Sequence, residues 1–449
     1  MSLLNRFAVV IVWATSCLIP NHILSQTTGA YTLKQAQDYA LINNYRIKSA
    51  ILEKEIAHHT VKVFKSIGFP FVATNGNFQS FIDRPTSIIP PGAFGPGTGD
   101  EPLEVQFGTN YNSSIGLTAN QVIFDASYFV GLKAAKAFST VSAQALVKTT
   151  IEIQTTVAQS YYAALAAHEN ILIFESNKQN LVKTLRETQA RFQAGFMEEM
   201  DVEQLELLVS NIDNLLNSAH SQAEISLKLL KFQMGLDVKQ SIELTDNLDI
   251  LVASLESNIP GTEFSLESHI DYQLATTRVT LMNLNKKVEQ SKFYPKLTGF
   301  FNYSQNAFRN EFNFFEGGKW YPTTLWGLNL SFPIFSGLGQ HSVVKKAKLE
   351  LEKAEIQKIQ VSQALSLQEQ TARVEYNTAL ESYQIRKKSL ALAKTIQKKT
   401  TTKFTEGVAS SMELTQAENQ FFSAQGKYIQ SIFKLLNTKA TLDKALNKT

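Results

Sequence analysis

Two hydrophobic rhythms alternate along this chain. In residues 323–334, Trp326, Leu328, Leu330, Phe332 and Ile334 stand between Leu325, Gly327, Asn329, Ser331 and Pro333. One face is apolar and the other mostly small or polar, which predicts a strand with unlike surroundings on its two sides. Residues 110–123 repeat the pattern. Tyr111, Ile115, Leu117 and Ala119 share one face, and Asn110, Asn112, Ser114, Thr118 and Asn120 the other. In 295–307, Leu297, Phe301 and Tyr303 oppose Thr298, Asn302 and Ser304. Residues 69–81 read as a strand with poorer alternation.

The second rhythm is helical. Neither glycine nor proline occurs between Gly131 and Gly195, or between Gly339 and Gly407. Proline lacks a backbone donor and clashes inside a helix, so its exclusion marks helix held intact. Helices are expected over 126–194 and 339–405, each roughly 100 Å long at ~1.5 Å per residue. After a glycine turn each is followed by another, over 199–234 and 411–445. Small residues such as Ala134, Ala135, Ala347 and Ala354 suit lateral, coiled-coil-like packing.

The order of elements occurs twice. Helix is expected over 31–66, with Thr32 as cap and a break at Asn43 and Asn44. Strand 69–81, loop 82–108 and strand 110–123 lead into the first long helix. Helix 266–292, strand 295–307, loop 308–322 and strand 323–334 lead into the second. The turns match too: Arg191-Phe192-Gln193-Ala194-Gly195 against Lys403-Phe404-Thr405-Glu406-Gly407. Beyond them, Asp201, Gln204 and Glu206 align with Glu413, Gln416 and Glu418 at one constant offset. Two structural repeats, 26–235 and 264–449, are therefore expected, joined by a linker or equatorial segment over 236–263.

Composition narrows the function. The net charge is +3 with no basic cluster, which argues against nucleic acid. Arg6 followed by apolar 7–19 reads as an export signal over 1–25, cut near Ser25 and Gln26. The single cysteine, Cys17, then leaves with the signal, and the alternative is its acylation as a lipoprotein. No other segment approaches the length of an apolar membrane helix. His58 and His59 are adjacent, do not share a helix face, and make a poor metal site. There is no phosphate-binding glycine loop and no Gly-x-Ser-x-Gly elbow. No enzyme, cofactor or resident metal is expected. The Lys and Glu run over 345–358 reads as a solvated helix face.

Strands of about ten residues, tilted, are long enough to cross a bilayer. Phe69, Phe71, Phe124, Phe293, Tyr294, Phe312, Phe314, Phe315, Trp320 and Tyr321 cluster near the strand ends, as interfacial aromatics do. The lipid-facing set is then Tyr111, Ile115, Leu117, Leu297, Phe301, Tyr303, Trp326, Leu328, Leu330 and Phe332. Four strands cannot close a barrel, and open edges in lipid leave backbone groups unpaired. Copies must pool their strands, and three copies leave room for water where two would not.

The duplicated order, the Arg191-Phe192-x-x-Gly195 and Lys403-Phe404-x-x-Gly407 turns with Asp201-Val202 and Glu413-Leu414 beyond them, and the Phe-Pro and Tyr-Pro strand starts resemble the TolC-type outer-membrane efflux protein family. The resemblance covers about 32–446. It implies an α+β membrane protein, TolC-like, in which a homotrimer builds a twelve-stranded transmembrane barrel over a helical periplasmic barrel. It also implies a periplasmic adaptor (membrane fusion protein), an inner-membrane pump, and export as in a tripartite efflux pump or type I secretion system. The turns Arg191, Gly195, Lys403 and Gly407 would contact the adaptor. Carried over by position, the periplasmic entrance falls on Asp201, Phe404, Glu413 and Gln416. Phe404 lacks the family's tyrosine hydroxyl, and the family's arginine falls on Ala409. Asp201 and Glu413 also suit a second role, as acids favoured by the dipole at helix N-termini. The alternatives are a passive porin-like or structural envelope protein without pump coupling, and a soluble coiled-coil adaptor.

Overall fold

The structure, a computed structural model, describes residues 29–90, 102–256 and 264–448. The expected signal over 1–25, Cys17 and part of loop 82–108 lie outside the described residues. Strand β1 (Gly29–Tyr31) precedes helices α1 (Leu33–Asn43) and α2 (Tyr45–Ser66). Strands β2 (Phe71–Ser80), β3 (Thr86–Ile89), β4 (Leu103–Gln106) and β5 (Tyr111–Asp125) follow. Helices α3 (Ala126–Gln193) and α4 (Glu199–Met234) come next. Then come β6 (Ile242–Leu244), α5 (Leu248–Glu256), α6 (Ile270–Ser291), β7 (Lys296–Arg309), β8 (Tyr321–Ser331), α7 (Gly339–Thr405) and α8 (Ser411–Ala445).

Local chemistry sets the ends of these elements. Thr32 and Gln35 form a reciprocal capping box on α1. The break between α1 and α2 is Asn44, whose side chain accepts from the Arg46 and Ile47 N–H groups. Strand β5 runs past 123 through a bulge at Ile123 and delivers Asp125 as the cap of α3. Asp125 also meets Lys296, the first residue of β7, at 3.3 Å.

One antiparallel sheet has the order β2-β5-β7-β8. Its register aligns Val72, Ala119, Phe301 and Trp326 in one transverse row. Directly paired residues share a face. Tyr111, Ile115, Leu117, Leu297, Phe301, Tyr303, Trp326, Leu328 and Leu330 therefore all lie on one side. Asn112, Ser114, Thr118, Asn302, Ser304 and Asn329 lie on the other. Phe332 departs from the expectation. Strand β8 ends at Ser331, because Pro333 cannot donate to a ladder and a turn follows. Loop 82–108 also departs: β3 and β4 pair there as a short antiparallel ribbon.

The order of the sheet continues into the helices. Below the strands the neighbours run α2, α3, α6, α7, and further down α4, α3, α8, α7. Helix α3 thus spans both levels. The main core lies where the levels meet, around Ile153, Val157 and Tyr161 of α3, Leu230 and Met234 of α4, and Ile432, Leu435 and Leu436 of α8. The described part of segment 236–263 packs into this core through Leu236, Ile242, Leu248 and Val252. Strand β6 pairs in parallel with β1. Among the described residues, no helix is long and apolar enough to cross a membrane.

Tyr161 is 0% exposed. Its hydroxyl donates to the Tyr31 carbonyl at 3.0 Å and accepts the Asp246 N–H at 3.4 Å. It pins both chain segments that flank the core. Tyr161→Phe strips the Asp246 N–H of its acceptor and removes one of two donors to the Tyr31 carbonyl, which keeps the Thr245 N–H at 3.2 Å, and is expected to cost about 1–3 kcal/mol. Hydrogen exchange should then accelerate at 29–33 and 242–247 and stay unchanged in the β5-β7 ladder.

Candidate functional site at the paired helix turns

The two helical hairpins end together, far from the sheet. Helix α3 runs 68 residues, about 100 Å, before it turns. Each turn closes in the same way. The Gly195 N–H bonds the Phe192 carbonyl and the Phe196 N–H bonds the Arg191 carbonyl, both at 2.9 Å. The Gly407 N–H bonds the Phe404 carbonyl at 3.0 Å and the Val408 N–H bonds the Lys403 carbonyl at 2.8 Å. This is the Schellman pattern, and it needs a left-handed residue just past the helix cap, where the shorter-range bond is donated. Gly195 has φ 82° and Gly407 φ 75°, a region that glycine occupies without strain.

The acids beyond the turns have local partners. The Asp201 carboxylate accepts the Glu198 N–H at 3.1 Å. Glu413 accepts the Ser410 N–H at 2.9 Å, and the Ser410 hydroxyl accepts the Glu413 N–H at 3.3 Å. Both acids therefore cap their helices, in the role the dipole favours. Glu413 remains exposed and Asp201 half-buried. Gln416 is exposed and lines an open groove of about 650 Å³ along α7 and α8, with Arg386, Met412 and Lys427.

Phe404 departs from an entrance lining. It is 2% exposed and packs with Leu205 and Leu414 into a small core shared by both hairpins. Leu185, Met197 and Ala409 close around it. A phenyl ring without a hydroxyl suits this dry site. Ala409 adds apolar contact where the resembled family would carry a charge.

Arg191 supplies a link that the pattern of residues does not announce. Its guanidinium donates to the Thr405 carbonyl at 2.5 Å. That carbonyl belongs to the last turn of α7, where helix carbonyls lack intrahelical partners and carry the negative end of the dipole. One charged side chain thus ties the end of α3 to the end of α7. Lys403, its counterpart, is exposed. So are Phe196, Met200, Val408 and Met412, an apolar fringe on the two tips.

Glu418 is the second feature that the sequence does not announce. Its counterpart Glu206 is exposed and accepts from Gln189 at 3.2 Å. Glu418 instead is 6% exposed and accepts from Gln397 of α7 at 2.7 Å. Burial pushes its carboxyl above the ordinary glutamate range, and the Gln397 bond offsets part of that.

A sheet with one apolar face, open at both edges and running into paired helices of about 100 Å, is the architecture of an outer-membrane channel subunit. The profile of the family described as "Outer membrane efflux protein" matches residues 37–236 and 265–448, and the chain belongs to that family. The outer membrane protein TolC of Vibrio cholerae serotype O1 is 23% identical over 247 residues. That match covers 52% of this chain and 54% of the relative, so the chain aligns with about half the length of this curated relative. The crystal structure of CusC superposes with a TM-score of 0.76 at 17% identity, over 95% of this chain and 96% of that one. VceC of Vibrio cholerae gives 0.72 at 14% identity, over 93% and 96%. The open state of the MtrE outer membrane channel of Neisseria gonorrhoeae gives 0.72 at 17% identity, over 93% and 89%. These structures share the fold. The chain is accordingly an outer-membrane protein with a large helical periplasmic portion.

Two outcomes follow at the turns. Arg191→Ala removes a charge-assisted bond of about 1.5–3 kcal/mol and should raise hydrogen exchange at 403–409 without altering the sheet. For Glu418, a folded pKa raised above the unfolded value means that the buried packing is strongest at low pH and weakens as pH rises through the folded pKa. After correction for intrinsic rates, exchange at 397–405 should therefore rise as pH climbs from the ordinary glutamate range through the raised folded value. In Glu418→Gln that dependence should vanish.

Proposed function

We propose that this chain is one third of an outer-membrane export duct, the exit channel of a tripartite efflux pump or type I secretion system. The carrying observation is the pair of open edges. Strands β2 and β8 each have a single neighbour in the sheet. Their free backbone groups would be unsatisfied in lipid, at several kcal/mol each. The edge helices are unfinished in the same way. Leu207, Leu215, Ile225 and Phe232 are exposed on α4, and Leu349, Ile356, Leu367, Val374, Ile385 and Leu392 on α7. The α7 residues recur about every two or three turns, a straight apolar stripe. A copy on each side would cover strand edge and helix stripe together. Three copies close a twelve-stranded barrel, wide enough for an aqueous lumen.

The apolar sheet face, from Tyr111 to Leu330, then meets lipid. Trp326 is already 73% exposed. Phe78, Tyr111, Phe312 and Phe314 pack edge to face at the loop end of the strands, at the level of an interfacial belt. The polar face lines the lumen. Residues 26–235 and 264–449 act as structural repeats. The matched element order and the matched Schellman turns support that division. The turns at Gly195 and Gly407 point into the periplasm. With Arg191, Lys403 and the exposed Phe196, Met200, Val408 and Met412, they offer a periplasmic adaptor a mixed basic and apolar tip. Through that adaptor the duct serves an inner-membrane pump. The long helices disfavour a passive porin, whose periplasmic turns are short.

Mass measurement of the full chain in mild detergent should give a trimer. A stable monomer or dimer would overturn the architecture. In planar bilayers the channel should prefer cations, since Asp201 and Glu413 would recur three times each around the entrance. Asp201→Asn combined with Glu413→Gln should weaken that preference. If ion preference and conductance stay as they were, these acids serve only as helix caps.

A further inference from the structure

The two margins of the lower helical level carry opposite charge. Residues 384–404 of α7 hold seven basic side chains and no acidic one. Residues 199–213 of α4 hold five acidic side chains and no basic one. These are the outer helices of the row α4, α3, α8, α7, so the charges sit at opposite edges of the subunit.

Helix geometry turns the charges outward. On α7 the inner side is marked by the buried Tyr383 and Phe404, and by Gln397, which bonds Glu418 of α8. Lys399 lies two residues beyond Gln397, and at 3.6 residues per turn that places it on the far side. On α4 Leu205 is fully buried, and Glu203, two residues before it, points away likewise. Both are exposed, as are Lys394 and Lys398 on one margin and Glu199 and Glu206 on the other. The heights agree. The Arg191 bond to the Thr405 carbonyl ties the two tips together. At ~1.5 Å per residue, Glu203 stands about 6 Å above the start of α4 and Lys399 about 9 Å above the end of α7. Asp213 is already paired with Lys178 at 2.6 Å, and Asp201 caps its helix. Glu199, Glu203, Lys394, Lys398 and Lys399 have no ion pair among the described residues.

We propose that the basic margin of α7 seats against the acidic margin of α4 in a second copy of this chain, with Lys399 opposite Glu203. The seam presupposes the ring of copies proposed above and gives that ring a direction. Two α7 margins repel each other, and so do two α4 margins. Two-fold contact between like margins is therefore disfavoured, and head-to-tail joining, which can close a ring, matches unlike charges. The apolar stripes alone do not discriminate, because both margins carry exposed Leu and Ile. Exposed ion pairs each add little affinity, so the seam selects partner and register more than it tightens the assembly.

Disulfide trapping on the full chain in detergent tests this. Leu207→Cys and Thr395→Cys replace exposed residues about 12 and 15 Å above the tips, one on each outward face, and leave the charges intact. Carried together, they should give covalent dimers and trimers on oxidation. Either one alone should give none, and chains joined through one alone would mean that like margins meet, which overturns the proposal. The joined fraction should fall severalfold from ~0.1 M to ~1 M salt, as the screening length shrinks from ~10 Å to ~3 Å. Reversing the acids (Glu199→Lys, Glu203→Lys, Glu206→Lys) or the bases (Lys394→Glu, Lys398→Glu, Lys399→Glu) should lower it in the same way, and both reversals together should restore it. A joined fraction indifferent to salt and to reversal would overturn the role of charge. A trimer by mass in which the paired thiols stay unjoined would overturn the seam alone and leave the basic margin to the adaptor, whereas a monomer would overturn the ring as well.

Discussion

A strand edge in hydrocarbon has no water to fall back on. In the proposed assembly that constraint organises this molecule. The sheet stops after four strands, and both outer strands face outward with unpaired backbone groups. Everything along those two margins is left incomplete in the same way, from β2 through α2 to α4 and from β8 down α7. In the proposed assembly the subunit is one panel of a wall rather than a closed body. Among the described residues its main core sits at mid-height, where α3, α4, α7 and α8 converge with the segment that joins the two halves.

The elements that the sequence shows clearly are those where one residue type has a single physical meaning. Glycine with positive φ ends α3 and α7, so their limits are legible to within a residue. Proline exclusion marks the helical spans. Alternation assigns the faces of β5, β7 and β8, because a two-residue period leaves no freedom once strands pair in register. Phe332 escapes that logic, since the alternating pattern outruns the hydrogen-bonded strand. Strands β1 and β6 escape it for another reason. Three residues carry no period, and their pairing depends on Tyr161, far away in sequence.

The turn site was legible in outline only. Position along the chain identifies the tips, and helix-start acids at Asp201 and Glu413 follow from general rules. Burial does not follow. Phe192 and Phe404 occupy matched positions in the two turns, yet Phe192 is exposed and Phe404 packs in the core that joins both hairpins. Glu206 and Glu418 diverge likewise, one wet and one dry. Repeated sequence gives each hairpin the same local chemistry, and tertiary packing then treats the two faces differently.

The Arg191 contact has an evolutionary corollary. Its acceptor is a main-chain oxygen, and every residue type at 405 provides one. The tie between the two hairpins therefore places no demand on the identity of its partner. Substitutions at 405 can accumulate freely while the coupling persists, and no correlated pair of positions would record it. Among related chains this joint would be invisible to covariation, although it holds the two hairpin tips in register.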